Sequence, residues 1–223
     1  MSITQDTPVG TIAAEFPLAT RVFARHQIDF CCGGGIPLIT ACAKKAIDVD
    51  KVLAELQAEI APGAQNEESR WDQSPMPELI DHLLKAYHVP QLEELDRILA
   101  MTQKVHDVHG DKDQAMFDEL LKTVTAMHTD LVGHFAKEED EIFPALLSGK
   151  TDEETLAALE CDHEEVGEML RTIRRLTNDF TVPAAACNTW TALWHAFADI
   201  EQGLHMHIHL ENNVLLPAAR AAK

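Results

Sequence analysis

Apolar residues recur every three or four positions over four long stretches, roughly 75–108, 112–148, 152–178 and 186–220, and this spacing predicts four amphipathic helices. Ser74-Pro75 offers a cap and a first-turn proline ahead of the first helix. The joins fall at Gly110, at Ser148-Gly149 and near Thr181-Val182-Pro183. Short connections between long helices imply antiparallel neighbours, so the expected fold is an all-α, up-down-up-down four-helix bundle. Upstream, Pro8 to Ile60 reads as short helices punctuated by Pro17, Gly33-Gly34-Gly35 and Pro37. Asp48 is placed to cap a helix whose apolar face is Val52, Leu53, Leu56 and Ile60. Periodicity is lost from Ala61 to Ser69, where the chain turns polar. The expected organisation is a small helical domain over 1–60, a linker over 61–73 and the bundle over 74–223, and a fragment beginning near Ser69 is expected to fold by itself.

Chemistry enters where polar residues interrupt the apolar stripes. His134-x3-Glu138-x5-Pro144 and His207-x3-Glu211-x5-Pro217 are two copies of one pattern. Residues four apart lie within about 40° of each other around a helix, so each pair can reach one ion. The pairs share their faces with Leu131 and Ile142, and with Leu204 and Leu215. Burying such groups without partners would cost on the order of several kcal/mol, which points to a shared metal. His88 lies on a stripe with Leu84, Leu92 and Leu95, and His163 on one with Leu156, Leu159, Val166 and Leu170. A lone His on such a stripe is more often a hydrogen-bonded core residue. Here, however, His88 precedes His134 by 46 residues and His163 precedes His207 by 44, so each half of the bundle is a hairpin with the same ligand set. Counting helical rungs puts His88, His134 and His163 near one height and His207 lower.

Four imidazoles and two carboxylates are too many for a tetrahedral zinc, but they suit two ions bridged by both Glu residues, with iron or manganese the natural choice. Glu160-x-x-His163 is a single match to a ferritin-like motif that needs two. His109 lies 21 residues beyond His88, about 31 Å along a continuous helix, and is left out. His26, His82, His106, His128, His195, His205 and His209 are expected at surface or rim positions. Asp130 and Asp162 are candidate supports for the ligands or steps of an ion path.

Composition narrows the picture. The chain has 223 residues, 46% of them hydrophobic and 5% aromatic, enough for a proper core and biased towards helix. With 37 acidic and 18 basic residues the formal charge is −19, a field that disfavours nucleic acid and anionic membrane surfaces and favours cations. No apolar run approaches a membrane span, and the start lacks the pattern of a signal peptide. Five cysteines, two adjacent, do not form a secreted disulfide framework, so a reducing cytoplasm is expected. Cys31-Cys32 precedes the three glycines and a helix expected near Pro37, where a thiol ionises more readily and can bind iron or exchange with a disulfide; the alternative is that one of the two packs as a small hydrophobe. Cys42, Cys161 and Cys187 fall within helical patterns and read as structural.

The segments YH at His88, HFAKEEDEIFP, DHEEVGEM at His163 and HIHLENNVLLP together resemble the hemerythrin-like di-iron bundle of the repair-of-iron-centres family. PVGTIAAEFPLATRVF followed by DFCCGG resembles that family's small ScdA-type N-terminal domain, and the likeness runs from about residue 8 to 219. Phe30 stands where relatives often have Tyr. The resemblance implies two non-haem iron ions, oxo- and carboxylate-bridged, on His88, His134, Glu138, His163, His207 and Glu211. It also implies repair of iron-sulfur clusters after nitrosative or oxidative stress, with Cys31 and Cys32 in a catalytic role. Implied partners are damaged or apo iron-sulfur proteins and NO or O2 as small ligands, with no nucleic acid and no membrane, and a homodimer left open. The rival readings are a nitric oxide reductase and an O2 or NO sensor, since the same ligands serve all three.

Overall fold

The computed structural model describes residues 3–60 and 70–222. The expected linker from Ala61 to Ser69 lies outside the described residues. The described chain is helical throughout, with only an isolated bridge between Pro8 and Pro37. By contacts it divides into two units, Met1–Leu79 with His205–Lys223, and Ile80–Leu204.

The first unit contains α1 (Val9–Glu15), α2 (Ala19–Arg25), α3 (Leu38–Lys44) and α4 (Val49–Glu59). Asp48 caps α4 by accepting from the Asp50 N–H, as its position before the apolar face predicts. Val9, Ile12, Val22, Phe23, Leu38 and Leu56 form a buried core, and Met206 packs against it from the C-terminal part of the unit. The chain around the glycines is tied to α1, with Val9 N–H donating to Ile36 O and Gly10 N–H to Gly34 O.

The long helices form the expected up-down-up-down bundle. They are α5 (Met76–Leu83), α6 (Val89–His109), α7 (Gln114–Lys137), α8 (Phe143–Leu147), α9 (Glu153–Leu176), α10 (Asn188–Leu210) and α11 (Leu216–Ala221). Asp113 and Asp152 cap α7 and α9, accepting from the N–H groups of Met116 and Thr155. Phe117, Leu120, Val124, Leu156, Leu159, Ile173 and Trp194 fill the interior of the second unit.

Three of the predicted helices each contain a single wide π-helical turn, at Leu84–His88, Glu138–Ile142 and Glu211–Leu215. Each turn is closed by an N–H that reaches back five residues, Val89 to Leu84, Phe143 to Glu138 and Leu216 to Glu211. The next residue is a proline every time, Pro90, Pro144 and Pro217. A proline inside a helix lacks the N–H for the usual bond, and its ring presses on the carbonyl four residues back; widening the turn relieves that contact. The wide turns also shift the buried stripe. Across the first, burial steps by five residues, from Leu83 to His88, while Ile142 and Phe143 are both buried at the end of the second and Leu215 and Leu216 at the end of the third. Leu83 is accordingly the fully buried residue where the even spacing pointed to Leu84.

Candidate metal centre

Glu138 opens the second wide turn and is fully buried, as is His88 at the end of the first. Glu138 Oε2 lies 3.4 Å from His88 Nε2, and Glu138 Oε1 lies 3.3 Å from His134 Nε2. His134 Nε2 in turn faces His163 Nε2 at 3.1 Å. In the first unit, His207 Nε2 lies 3.2 Å from Glu211 Oε1, both residues buried. His134, Glu138 and His163 each bring an atom to within 4.8 Å of the others, as do His88 with Glu138 and His207 with Glu211. These groups can hold a metal ion.

The outer ring nitrogens show how the imidazoles are aimed. His88 Nδ1 pairs with Glu139 Oε1 at 2.8 Å, and His134 Nδ1 lies 3.5 Å from Asp162 Oδ2. A carboxylate on the outer nitrogen holds the proton there and turns the other nitrogen's lone pair inwards, the arrangement a metal-ligating histidine needs. The His88 ring is further fixed by stacking on Phe135, centroids 4.4 Å apart. Two Nε2 atoms 3.1 Å apart beside a buried carboxylate form a donor set that a cation fits. Asp162 comes near His134 Nδ1 without hydrogen-bonding to it, and Asp130 is exposed. Glu139 was not anticipated, because its neighbour Glu138 already accounted for the acidic position on the stripe.

Residues 79–219 match the hemerythrin HHE cation binding domain, and residues 5–60 match ScdA_N, a domain of unknown function. The iron-sulfur cluster repair protein YtfE of Escherichia coli O1:K1 is 37% identical over 221 residues, covering 98% of this chain and 99% of the relative. The YtfE protein of Escherichia fergusonii is similar to the same extent, at 37% over 221 residues. The chain belongs to the YtfE family. Its hemerythrin domain brings iron binding, and all six expected ligands lie within that match. Cys31 and Cys32 lie within the family's ScdA_N match.

The other histidines divide in two. His26 pairs with Glu55, His106 with Asp118 and His128 with Asp96, all at or near the surface. His109 lies against Cys187, with 3.3 Å between Nε2 and Sγ, and its ring is 5.0 Å from that of Trp190. His209 corrects the expectation of a rim position. It is 2% exposed, its ring meets Phe30 edge-on at 5.5 Å, and its Nδ1 lies 3.2 Å from Phe30 O. Burial lowers its pKa to about 4 against the opposing pull of the Phe30 and Ala13 carbonyls, so the ring is neutral near pH 7.

The cysteine turn also departs from expectation. Cys31 is buried, its N–H donates to Asp29 Oδ1 at 3.0 Å, and its thiol donates to the same oxygen at 3.2 Å. The hydrogen bond to Cys32 raises the Cys31 pKa well above the usual thiol value, and burial and the Asp29 carboxylate add to it. Easy ionisation is thus excluded for Cys31, while Cys32 is half-buried. Of the cysteines read as structural, Cys42 is buried, but Cys161 and Cys187 are exposed. A raised pKa lowers the thiolate fraction, and hence the reactivity, at any pH below it. Iodoacetamide at pH 7 is expected to label Cys32 well before Cys31, with Cys31 labelling still climbing above pH 9; peptide mass spectrometry showing Cys31 first would contradict this assignment.

Proposed function

We propose that this protein repairs iron-sulfur clusters and that it does so by donating iron from a carboxylate-bridged di-iron centre. His88, His134, Glu138, His163, His207 and Glu211 would hold the two ions, two His to each, with both Glu residues bridging. The observation that carries the proposal is the buried Glu138 carboxylate facing His88 on one oxygen and His134 on the other, in a chain whose relatives are named iron-sulfur cluster repair proteins. When bound, the iron ions would supply transferable ferrous iron and redox chemistry. The chain's own part is to aim the His88 imidazole through Glu139 and to keep the carboxylates dry.

The partners in this reading are damaged or apo iron-sulfur proteins, with NO or O2 as small ligands, during nitrosative or oxidative stress. The setting is the cytoplasm, in keeping with five free thiols. No described helix is long and apolar enough to cross a membrane. Anaerobic purification from iron-replete cells is expected to yield two irons per chain, and the reduced protein is expected to lose that iron to an apo-ferredoxin as a cluster forms. A single ion or zinc would overturn the di-iron assignment, and iron retained in the presence of the acceptor would overturn donation.

A further inference from the structure

Asn213 lies in the same wide turn as Glu211, two residues further on, yet its side chain serves the other end of the chain. Its Nδ2 donates to Phe30 O at 3.2 Å and to Cys31 O at 3.1 Å. These are consecutive carbonyls of the cysteine turn, and His209 reaches the first of them from one helical turn earlier. The amide oxygen of Asn213 occupies a notch that exists only because two residues lack side chains. A Cβ on Gly10 would come within 2.0 Å of Asn213 Oδ1, and one on Gly34 within 2.6 Å of the same atom and 2.8 Å of Phe30 O. Gly10 and Gly34 are themselves joined by a 2.7 Å hydrogen bond. Cys31 is therefore gripped on both sides, its N–H and thiol by Asp29 and its carbonyl by Asn213, while Cys32 follows half-buried.

We propose that Asn213 is a positioning residue which fixes the Cys31-Cys32 turn to the helical turn carrying Glu211, so that iron loading and thiol reactivity are linked. The linkage rests on the reading of Glu211 as an iron ligand; the grip on the turn does not. Glu211 and Asn213 share one hydrogen-bonded turn, so a shift of that turn on metal binding would carry with it the amide that holds Phe30 and Cys31. Both amide hydrogens are committed, which makes the grip directional: neither a methyl group nor a carboxylate can donate to those carbonyls.

The test is pulse alkylation of full-length protein, read at Cys31 and Cys32 by peptide mass spectrometry with and without iron. In the metal-free state Asn213→Ala is expected to speed Cys31 labelling at least about fivefold, the effect of losing a net hydrogen bond. Asn213→Asp, which keeps the volume but not the donor, should do the same and covers the case in which the alanine variant does not fold. Iron loading should change the parent's thiol rates roughly threefold or more, and the variants' rates not at all; a merely structural residue would shift the melting temperature without erasing that iron dependence. Parent-like Cys31 rates in folded, metal-free variants would refute the grip. Thiol rates in the parent that ignore bound iron would refute the linkage. Failure to bind iron at all would defeat the proposed function and the linkage together, and the metal-free comparison would still decide the grip.

Discussion

Glu138→Ala is expected to leave less than about one-tenth of the parent's iron after purification, since even the supports of metal ligands typically contribute 10- to 100-fold in affinity. Glu138 brings a carboxylate oxygen to both His88 and His134, at 3.4 and 3.3 Å, so its loss removes an element common to both proposed ion positions. His109→Ala is the matched control. Its ring lies on Cys187 and Trp190, and its iron content should equal the parent's. Metal analysis settles both, and iron in the Glu138 variant close to the parent's would sink the bridging role. The metal-free proteins supply a second reading. A fully buried carboxylate is costly without a cation, so the metal-free alanine variant should melt no lower than the metal-free parent, whereas a carboxylate kept for stability alone would show the reverse.

Deleting residues 1–68 is expected to lower the melting temperature by roughly 10 °C. In the first unit Met206 packs against the N-terminal core, Phe30 meets the rings of His205 and His209, and Asn213 binds the cysteine turn. Uncovering those side chains forfeits about 3–5 kcal/mol at the usual value per buried side chain. In a chain of this size each kcal/mol corresponds to about 2–4 °C. Calorimetry of the fragment beginning near Ser69 checks this, and a fragment as heat-stable as the parent would show that the helix end at 205–223 does not need the N-terminal helices. The polar stretch from Ala61 to Ser69 invites the opposite expectation, because a linker read from composition carries no information about which distant residues pack together.

That difference marks what the sequence can and cannot disclose here. Helix positions came through because apolar periodicity is a local signal: α9, α7 with its continuation through α8, and α10 with its continuation through α11 follow the predicted spans closely. The convergence of His88, His134, Glu138 and His163 was legible because the spacing of their types repeats along the chain. The wide turns did not, although Pro90, Pro144 and Pro217 mark all three: a proline reads as a helix end, and only the structure shows the helix continuing past it. Nor did the roles of His209 and Asn213, whose contacts with Phe30 span 179 and 183 residues of chain. No period links such positions. The thiol of Cys31 was misjudged for a similar reason, since glycines beside a cysteine suggest openness but say nothing of the Asp29 carboxylate turned back upon it.

Because a wide turn holds one residue more than an α-helical turn, the metal motif is sensitive to length in a way that it is not sensitive to composition. Asp140 and Glu141 are exposed, and their side chains can vary. Adding a residue outright is another matter. Phe143 and Leu146 would swing about 100° from their buried face, and the proline would arrive one place late. Every ligand would still be present by name, yet the carboxylate of Glu138 and the apolar anchor that follows it would no longer point inwards together. The five-residue gap before the proline is thus as much a part of the site as the ligands are, and a chain that keeps the His and Glu but lengthens that gap would be a hemerythrin-like sequence without the geometry to hold its metal.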